Sequence, residues 1–170
     1  VAGLKAMGFI GVNVTIPHKV TVMPYLDEIH LSAQLAGAVN TIVIKEGKCV
    51  GYNTDGQGFI QSLLSKNITI TGKKAVIIGA GGAARAVVAG LIEYGIEEII
   101  VGARSAAKAQ EFVELFPAGT KIEGCNWESE VFTQGLQHCD VLINCTPIGM
   151  SSKEEAELPI NWQQVKTDAA

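Results

Sequence analysis

Two residues in the first third of the chain have the side chains needed for proton transfer. Lys19 follows the turn that Pro17 makes after an apolar run, and Asp55 follows a second apolar run. A lysine close to an aspartate can serve as acid and base when burial tunes its pKa. Asn40-Thr41 and Asn53-Thr54 lie at the edges of neighbouring runs. Each of these residues is also typical of a turn or a cap, but together they would offer amides and hydroxyls to a polyhydroxylated ligand.

A glycine-rich loop is the second feature with chemical meaning. Residues 79–84 read G-x-G-x-x-A, directly after a predicted strand at 75–78 and at the start of a predicted helix at 83–94. The first glycine allows the tight turn, the second lets a pyrophosphate approach the backbone, and the small Ala84 lets the helix pack on the strand. Free N–H groups at the helix N-terminus would face the phosphates. The loop therefore predicts dinucleotide binding, the alternative being a tight turn that only packs.

The choice of cofactor is expected at the end of the next strand, where an acid would bind the ribose 2′-hydroxyl of NAD. Residues 102–105 hold no acid there, but they include Arg104 and Ser105. An arginine and a hydroxyl suit a 2′-phosphate, so the sequence favours NADP over NAD. The alternative for Arg104 is a solvated cation at the start of a helix.

Alternating strands and helices must position these residues. Beyond residue 72 the pattern predicts strands at 75–78, 99–101, 121–124 and 141–144, separated by helices at 83–94, 105–116 and 128–138. This alternation predicts a parallel sheet with right-handed crossovers. We therefore expect an α/β protein with a C-terminal Rossmann-type parallel sheet that carries helices on both faces.

The first part of the chain predicts a smaller α/β lobe. We expect a strand at 9–16, a helix at 19–35, a hairpin of 39–44 with 49–53, and a connecting helix at 58–65. The resulting division is a partial first domain at 1–56, a linker at 57–71 and a dinucleotide-binding domain at 72–170. Two such lobes share a cleft, which is where ligands bind.

Composition excludes several classes of function. The 170 residues carry 13 Lys and Arg against 17 Asp and Glu, a formal charge of −4, which argues against binding nucleic acid or an anionic membrane. No apolar run reaches the roughly 18 residues of a membrane span. The four cysteines lack the spacing of a zinc site and are expected to be free thiols in a reducing cytoplasm. Glycine is in excess, at 19 residues, which indicates close or left-handed backbone.

Five short blocks resemble, in order, the signature blocks of shikimate dehydrogenases. They are residues 13–19, 37–41, 51–56, 79–86 and 144–150, and they extend over nearly the whole chain. The resemblance implies an NADP-dependent oxidoreductase of aromatic amino acid biosynthesis that reversibly reduces the ketone of 3-dehydroshikimate to shikimate. The first lobe would then be the substrate-binding domain.

The resemblance also implies roles for individual residues. Lys19 would donate a proton to the carbonyl oxygen, and Asp55 would orient and tune it. The positions that would hold the substrate are Thr15, Asn40, Thr54 and Asp55. The positions that would hold NADP are Gly79, Ala80, Gly81, Gly82 and Ala83 at the pyrophosphate, Arg104 and Ser105 at the 2′-phosphate, and Thr146 and Met150 at the nicotinamide.

The chain departs from the family pattern in two ways. Ala103 stands where the family has asparagine before Arg104, so one amide contact to the cofactor is lost. The family's N-terminal serine pair and C-terminal glutamine, which contact the substrate, are both missing, so we expect a fragment that lacks both ends. The alternatives are a quinate/shikimate dehydrogenase using NAD or NADP, and a dinucleotide-binding module without catalysis. We expect small-molecule ligands and a monomer or homodimer.

Overall fold

Two four-stranded sheets, one in each half of the chain, organise the computed structural model, which describes residues 1–15, 17–149, 157–158 and 160–170. In the first half the strand order is β1-β3-β4-β2, with β1–β3 and β3–β4 antiparallel and β2–β4 parallel. Its elements are α1 Ala2–Ala6, β1 Gly11–Asn13, α2 His18–Thr21, a 3-10 helix Met23–Tyr25, β2 Glu28–Ile29, α3 Leu31–Ala36, β3 Thr41–Lys45 and β4 Lys48–Tyr52.

The prediction of one helix at 19–35 is wrong, because this segment divides into α2, the 3-10 helix, β2 and α3. Pro24 has no N–H to donate inside a helix. Beyond it the chain finds partners in the sheet instead: Asp27 N–H donates to the Cys49 carbonyl at 3.0 Å, and Glu28 pairs with Val50. The strand predicted at 9–16 is shorter in the structure, at Gly11–Asn13, and residue 16 lies outside the described residues. The predicted hairpin is confirmed as β3 and β4.

The second sheet confirms the predicted parallel arrangement. Its strands lie in the order β7-β6-β5-β8, all parallel. The elements are α4 Asp55–Leu64, β5 Lys74–Ile78, α5 Gly82–Glu93, β6 Glu98–Ala103, α6 Ala106–Val113, β7 Ile122–Asn126, α7 Glu130–His138, β8 Val141–Asn144 and a 3-10 helix Trp162–Gln164.

Helices cover both faces of this sheet. Successive residues of β5 face opposite sides, and each side packs against different helices. Ile77 belongs to a buried cluster with Leu91 of α5 and Phe112 of α6. Its neighbour Val76 belongs to a second cluster with Phe132 of α7. The expected Rossmann-type layering is therefore confirmed. No helix in the described part of the chain combines the length and the apolar character that crossing a bilayer requires.

The strand order creates a crevice at one edge of the second sheet. The chain places β6 and β7 on one side of β5 and then returns to place β8 on the other side. Open α/β sheets bind ligands at such a reversal, outside the carboxyl ends of the strands. The glycine loop after β5 and the loop after β8 both leave the sheet at this point. The fold thus presents the predicted cofactor residues at one edge.

Candidate active site

Lys19 and Asp55 form an ion pair, although 36 positions separate them in the sequence. The distance from Lys19 Nζ to Asp55 Oδ2 is 2.8 Å. Lys19 lies on α2, which is tied to the start of the hairpin because Val39 N–H donates to the Lys19 carbonyl at 2.8 Å. Asp55 is the first residue of α4. The side chains are 28% and 48% exposed, so both groups remain accessible to a ligand.

The Asn40 amide orients the carboxylate of Asp55. Its Nδ2 donates to Asp55 Oδ1 at 2.8 Å and to Thr54 Oγ1 at 3.1 Å, and its Oδ1 accepts from Thr54 N–H at 3.0 Å. Thr41 Oγ1 also donates to Asn40 Oδ1, at 2.9 Å. Since Asn40 holds one carboxylate oxygen and Lys19 the other, the plane of the Asp55 carboxylate is fixed. Asn40 itself is only 8% exposed, which makes these bonds hard to replace with water.

Asn53 supports Asp55, although the sequence suggested only an amide offered to a ligand. Its Oδ1 accepts from Asp55 N–H at 2.9 Å, and its Nδ2 donates to the Ala38 carbonyl at 3.0 Å. It therefore starts α4 and ties Asp55 to the segment before Asn40. The sequence held a signal for this role, because an asparagine two residues before a helix often accepts from the backbone in this way.

Thr54 directly precedes Asp55, Thr15 lies four residues before Lys19, and both threonines are exposed. Val14 N–H donates to the Asn40 carbonyl at 2.8 Å, and the Thr15 carbonyl accepts from His18 N–H at 2.8 Å. The end of β1 therefore lies against the hairpin just before the turn that presents Lys19. Hydrogen bonds join four of the five residues predicted for catalysis and substrate binding, and the fifth, Thr15, accepts through its carbonyl in the turn that leads to Lys19.

The glycine loop has the geometry that a pyrophosphate requires. Gly79 has φ +104°, and a Cβ there would lie 3.0 Å from Thr146 Cγ2, so the loops after β5 and β8 touch at this glycine. A Cβ at Gly81 or Gly82 would meet no atom within 4 Å, which leaves the surface above both open. Helix α5 starts there with no side-chain hydrogen bond at its N-cap. An open surface over an uncapped helix N-terminus fits a bound dinucleotide phosphate.

Arg104 and Ser105 leave the carboxyl end of β6, at the same edge of the sheet as the glycine loop. Ser105 Oγ accepts from Lys108 N–H at 3.4 Å and caps α6. Arg104 is exposed, and its carbonyl accepts from Asn126 Nδ2 at 2.9 Å. Asn126, which the sequence analysis did not identify, thus fixes the backbone of the turn that presents both residues.

Asn144 organises the loop after β8. Its Oδ1 accepts from Thr146 N–H at 2.9 Å and from Thr146 Oγ1 at 2.7 Å, and its Nδ2 donates to the Ile148 carbonyl at 3.0 Å. Burial raises the pKa of the neighbouring Cys145 thiol to about 11, so this thiol is uncharged at neutral pH. Met150, predicted beside the nicotinamide, lies outside the described residues.

Two family models match this chain. The model described as the shikimate dehydrogenase substrate binding domain matches residues 1–42. The model described as shikimate / quinate 5-dehydrogenase matches residues 62–155, which is more than half of the chain.

Individual relatives agree with these matches. A protein of Symbiobacterium thermophilum named shikimate dehydrogenase (NADP(+)) is 43% identical over 159 residues, covering 92% of this chain and 54% of that protein. Shikimate 5-dehydrogenase from Listeria monocytogenes, solved with shikimate and NAD, gives a TM-score of 0.80 at 33% identity, covering 88% of this chain and 54% of that one. Ligand-free 5-ketofructose reductase of Gluconobacter sp. strain CHM43 gives 0.76 at 43% identity, covering 87% and 53%. The chain spans about half the length of the curated relatives it matches.

Proposed function

Because the chain belongs to the shikimate/quinate dehydrogenase family, we propose that the protein carrying it is an NADP-dependent oxidoreductase that reversibly reduces the ketone of 3-dehydroshikimate to shikimate. The observation that carries this proposal is the Lys19–Asp55 pair at 2.8 Å, which is held by a buried amide and is partly exposed. Reduction of a ketone needs a proton for oxygen and a hydride for carbon. The ion pair is suited to supply the proton.

The proton transfer is assigned to Lys19. As the carbonyl carbon accepts a hydride, Lys19 Nζ donates a proton to the carbonyl oxygen, and in the oxidation direction it takes the proton back from the hydroxyl. Asp55 Oδ2 holds the ammonium group in one orientation, while Asn40 prevents the carboxylate from rotating. The bound nicotinamide supplies or accepts the hydride. All other steps use side chains of this protein.

Substrate hydroxyls are assigned to the polar residues around the pair. Thr15 and Thr54 are exposed and can both donate and accept. Asn40 already donates to Thr54 and to Asp55, so a substrate hydroxyl reaches its amide only by replacing Thr54 as partner. A ligand with several hydroxyls suits such a set. Shikimate and its ketone are ligands of this kind.

NADP is assigned to the carboxyl edge of the second sheet. The open backbone at residues 79–83 would hold the pyrophosphate, and Thr146 and Met150 would lie near the nicotinamide. Arg104 and Ser105 would hold the 2′-phosphate, with Asn126 keeping their turn in place. The exposed cation at this point favours NADP over NAD.

The free state of all four cysteines supports a further proposal, a reducing cytoplasmic location.

A steady-state assay of nicotinamide absorbance tests the proposal, with shikimate and quinate each offered with NADP and NAD. We expect shikimate oxidation with a kcat/KM at least about tenfold higher for NADP, since a charge-assisted hydrogen bond contributes about 1.5–3 kcal/mol. Equal values for the two cofactors would contradict the NADP assignment. Quinate oxidation with NAD would favour the alternative enzyme, and NADP binding without turnover would favour a non-catalytic module.

Binding to the chain itself separates the cofactor assignment from the assignment of the reaction. Arg104→Ala should weaken NADP binding, measured by titration calorimetry, and leave NAD binding unchanged. Lys108→Ala is the matched control, because it removes an exposed cation from the same helix start. Equal losses in both variants would mean that only overall charge attracts the cofactor.

A further inference from the structure

Arg85, in the first turn of α5, reaches across to the first half of the chain. Its Nε donates to the Leu35 carbonyl at 2.7 Å, and its Nη2 donates to the Gln34 carbonyl at 3.2 Å. Both carbonyls belong to the last turn of α3, where helical carbonyls carry partial negative charge. The Gln34 carbonyl also accepts from Gly37 N–H at 3.2 Å, so Arg85 adds a second donor there. One guanidinium group therefore joins the helix that starts at the glycine loop to the helix that precedes Asn40.

Gly37 provides the space for this guanidinium. It ends α3 with φ +63°, a left-handed conformation that side chains disfavour. A Cβ at this position would collide with Arg85 Nη1 and Cζ and would lie 2.8 Å from Nη2. A glycine therefore serves both the backbone turn and the approach of the arginine.

The contact depends on geometry more than on charge pairing. Burial lowers the pKa of Arg85 from its ordinary value, and no carboxylate among the described residues adds to this shift. Two carbonyl oxygens take the place of water around part of the guanidinium. The planar fork of arginine directs two N–H donors at these acceptors in fixed orientations, whereas lysine has a compact ammonium group on a flexible stem.

On the basis of the function proposed above, we propose that Arg85 is a positioning residue, which sets the place of the cofactor loop relative to the catalytic pair. On one side, Arg85 is four residues beyond Gly81 and moves with the start of α5. On the other side, α3 leads through Gly37 to Ala38, whose carbonyl accepts from Asn53, and Asn53 in turn holds the Asp55 backbone. The hydride from the cofactor and the proton from Lys19 must both reach the same carbonyl group. The distance between the cofactor loop and the catalytic pair therefore controls the rate.

Two variants remove the bridge in different ways. Arg85→Lys keeps the charge and loses the fork. Gly37→Ala keeps the arginine and displaces its guanidinium. Gly47→Ala is the control for backbone strain, because Gly47 has φ +76° and a Cβ there would meet no atom within 4 Å. It lies in the hairpin turn, remote from the bridge.

The measurements are kcat with shikimate and NADP for the protein that carries these residues, and the dissociation constant of NADP for the chain. We expect kcat to fall about tenfold in Arg85→Lys and Gly37→Ala, because misplacement by 1 Å can cost about a hundredfold. The NADP dissociation constant should stay near the wild-type value, and Gly47→Ala should keep wild-type kcat. Wild-type kcat in the two bridge variants would overturn the proposal, as would a loss of NADP affinity that matches the loss of rate.

A third measurement keeps this proposal separate from the proposed function. If the wild-type protein does not oxidise shikimate, the function is wrong, and hydrogen exchange of the chain decides the role of Arg85. The Thr54 amide, which donates to Asn40 Oδ1, should then exchange faster in both bridge variants than in Gly47→Ala. Equal exchange in all three would show that Arg85 does not position the residues around Asp55.

Discussion

The close crossing of α4 and α5 places the Lys19–Asp55 pair next to the helix that follows the glycine loop, and Gly90→Ala tests how rigid that crossing is. A Cβ at Gly90 would lie 2.8 Å from the carbonyl oxygen and 2.9 Å from the carbonyl carbon of Gly56. Ordinary contact begins at 3.4 Å, so the helices must separate by about 0.6 Å. Gly56 directly follows Asp55, so this separation would move the Asp55 carboxylate.

The size of the effect follows from a matched pair of variants. Gly58→Ala changes the same residue type on α4, where a Cβ would meet no atom within 4 Å. Alanine is favoured over glycine in a helix by about 1 kcal/mol, so Gly58→Ala should raise the free energy of unfolding by about that amount. Gly90→Ala gains the same stability from helix propensity but loses about 1–3 kcal/mol through overpacking. The propensity gain cancels in the difference between the two variants, which leaves the cost of separating the helices.

Thermal unfolding followed by circular dichroism measures this difference. For a chain of this size about 1 kcal/mol corresponds to roughly 2–4 °C, so Gly90→Ala should melt roughly 2–12 °C below Gly58→Ala. In the protein that carries these residues, Gly90→Ala should also lower kcat about tenfold, since a 1 Å misplacement can cost about a hundredfold. Equal melting temperatures for the two variants would refute the rigid contact between the helices.

Three further predictions concern single side chains. Lys19→Met should lower kcat by about two to four orders of magnitude, the range for loss of a general acid, without changing the NADP affinity of the chain. Asn40→Asp places a second carboxylate 2.8 Å from Asp55 Oδ1, and repulsion between the two raises the pKa of the pair in the folded state. The free energy of unfolding, measured with urea, should therefore fall as the pH rises through that raised pKa. A hydrogen bond from Lys166 lowers the pKa of Asp140 from 3.8 to about 2, so Asp140 stabilises the fold above its ordinary pKa and loses this effect as the pH falls towards 2. Asp140→Asn should therefore flatten the acid limb of the stability profile.

Each of these three predictions has an outcome that would contradict it. Turnover that survives Lys19→Met would make the lysine a binding residue. A pH profile of Asn40→Asp that matches the wild type would mean that the amide does not orient Asp55. Asp168→Asn is the control for Asp140→Asn, because Asp168 is 76% exposed and lies 3.6 Å from Lys166, farther than Asp140 at 2.8 Å. Equal pH profiles for the two variants would refute the Asp140 assignment.

The second half of the fold was predictable because its signals are local. Ser105 caps α6, and the glycine loop marks the end of β5 and the start of α5. Each of these features acts within a few residues of itself, so the order of strands and helices followed from the sequence. The position of β8 beside β5 needed the topology, because several strand orders fit the same alternation.

The first half resisted prediction because its partners are distant in sequence. The two residues of β2 are extended only because they pair with β4, more than twenty positions away. The candidate active site also depends on distant partners, because Asn40 holds Asp55, which is fifteen positions away. The sequence identified the polar residues, but only the fold could show that one amide fixes the carboxylate and that Asn53 holds the Asp55 backbone.

The glycine excess has a second cause besides the proposed ligand binding, and the two causes meet at the carboxyl edge of the second sheet. A Cβ at Gly102 on β6 would collide with the ring of Phe132, and a Cβ at Gly124 on β7 would collide with the Ala109 carbonyl. Helices α6 and α7 therefore lie closer to the sheet than a larger residue would permit. Arg104 leaves the sheet two residues beyond Gly102, so this close packing also fixes the turn that would hold the 2′-phosphate. Alanine at either glycine should destabilise the fold even though it reduces the entropy of the unfolded chain, because the helix would have to move away from the strand.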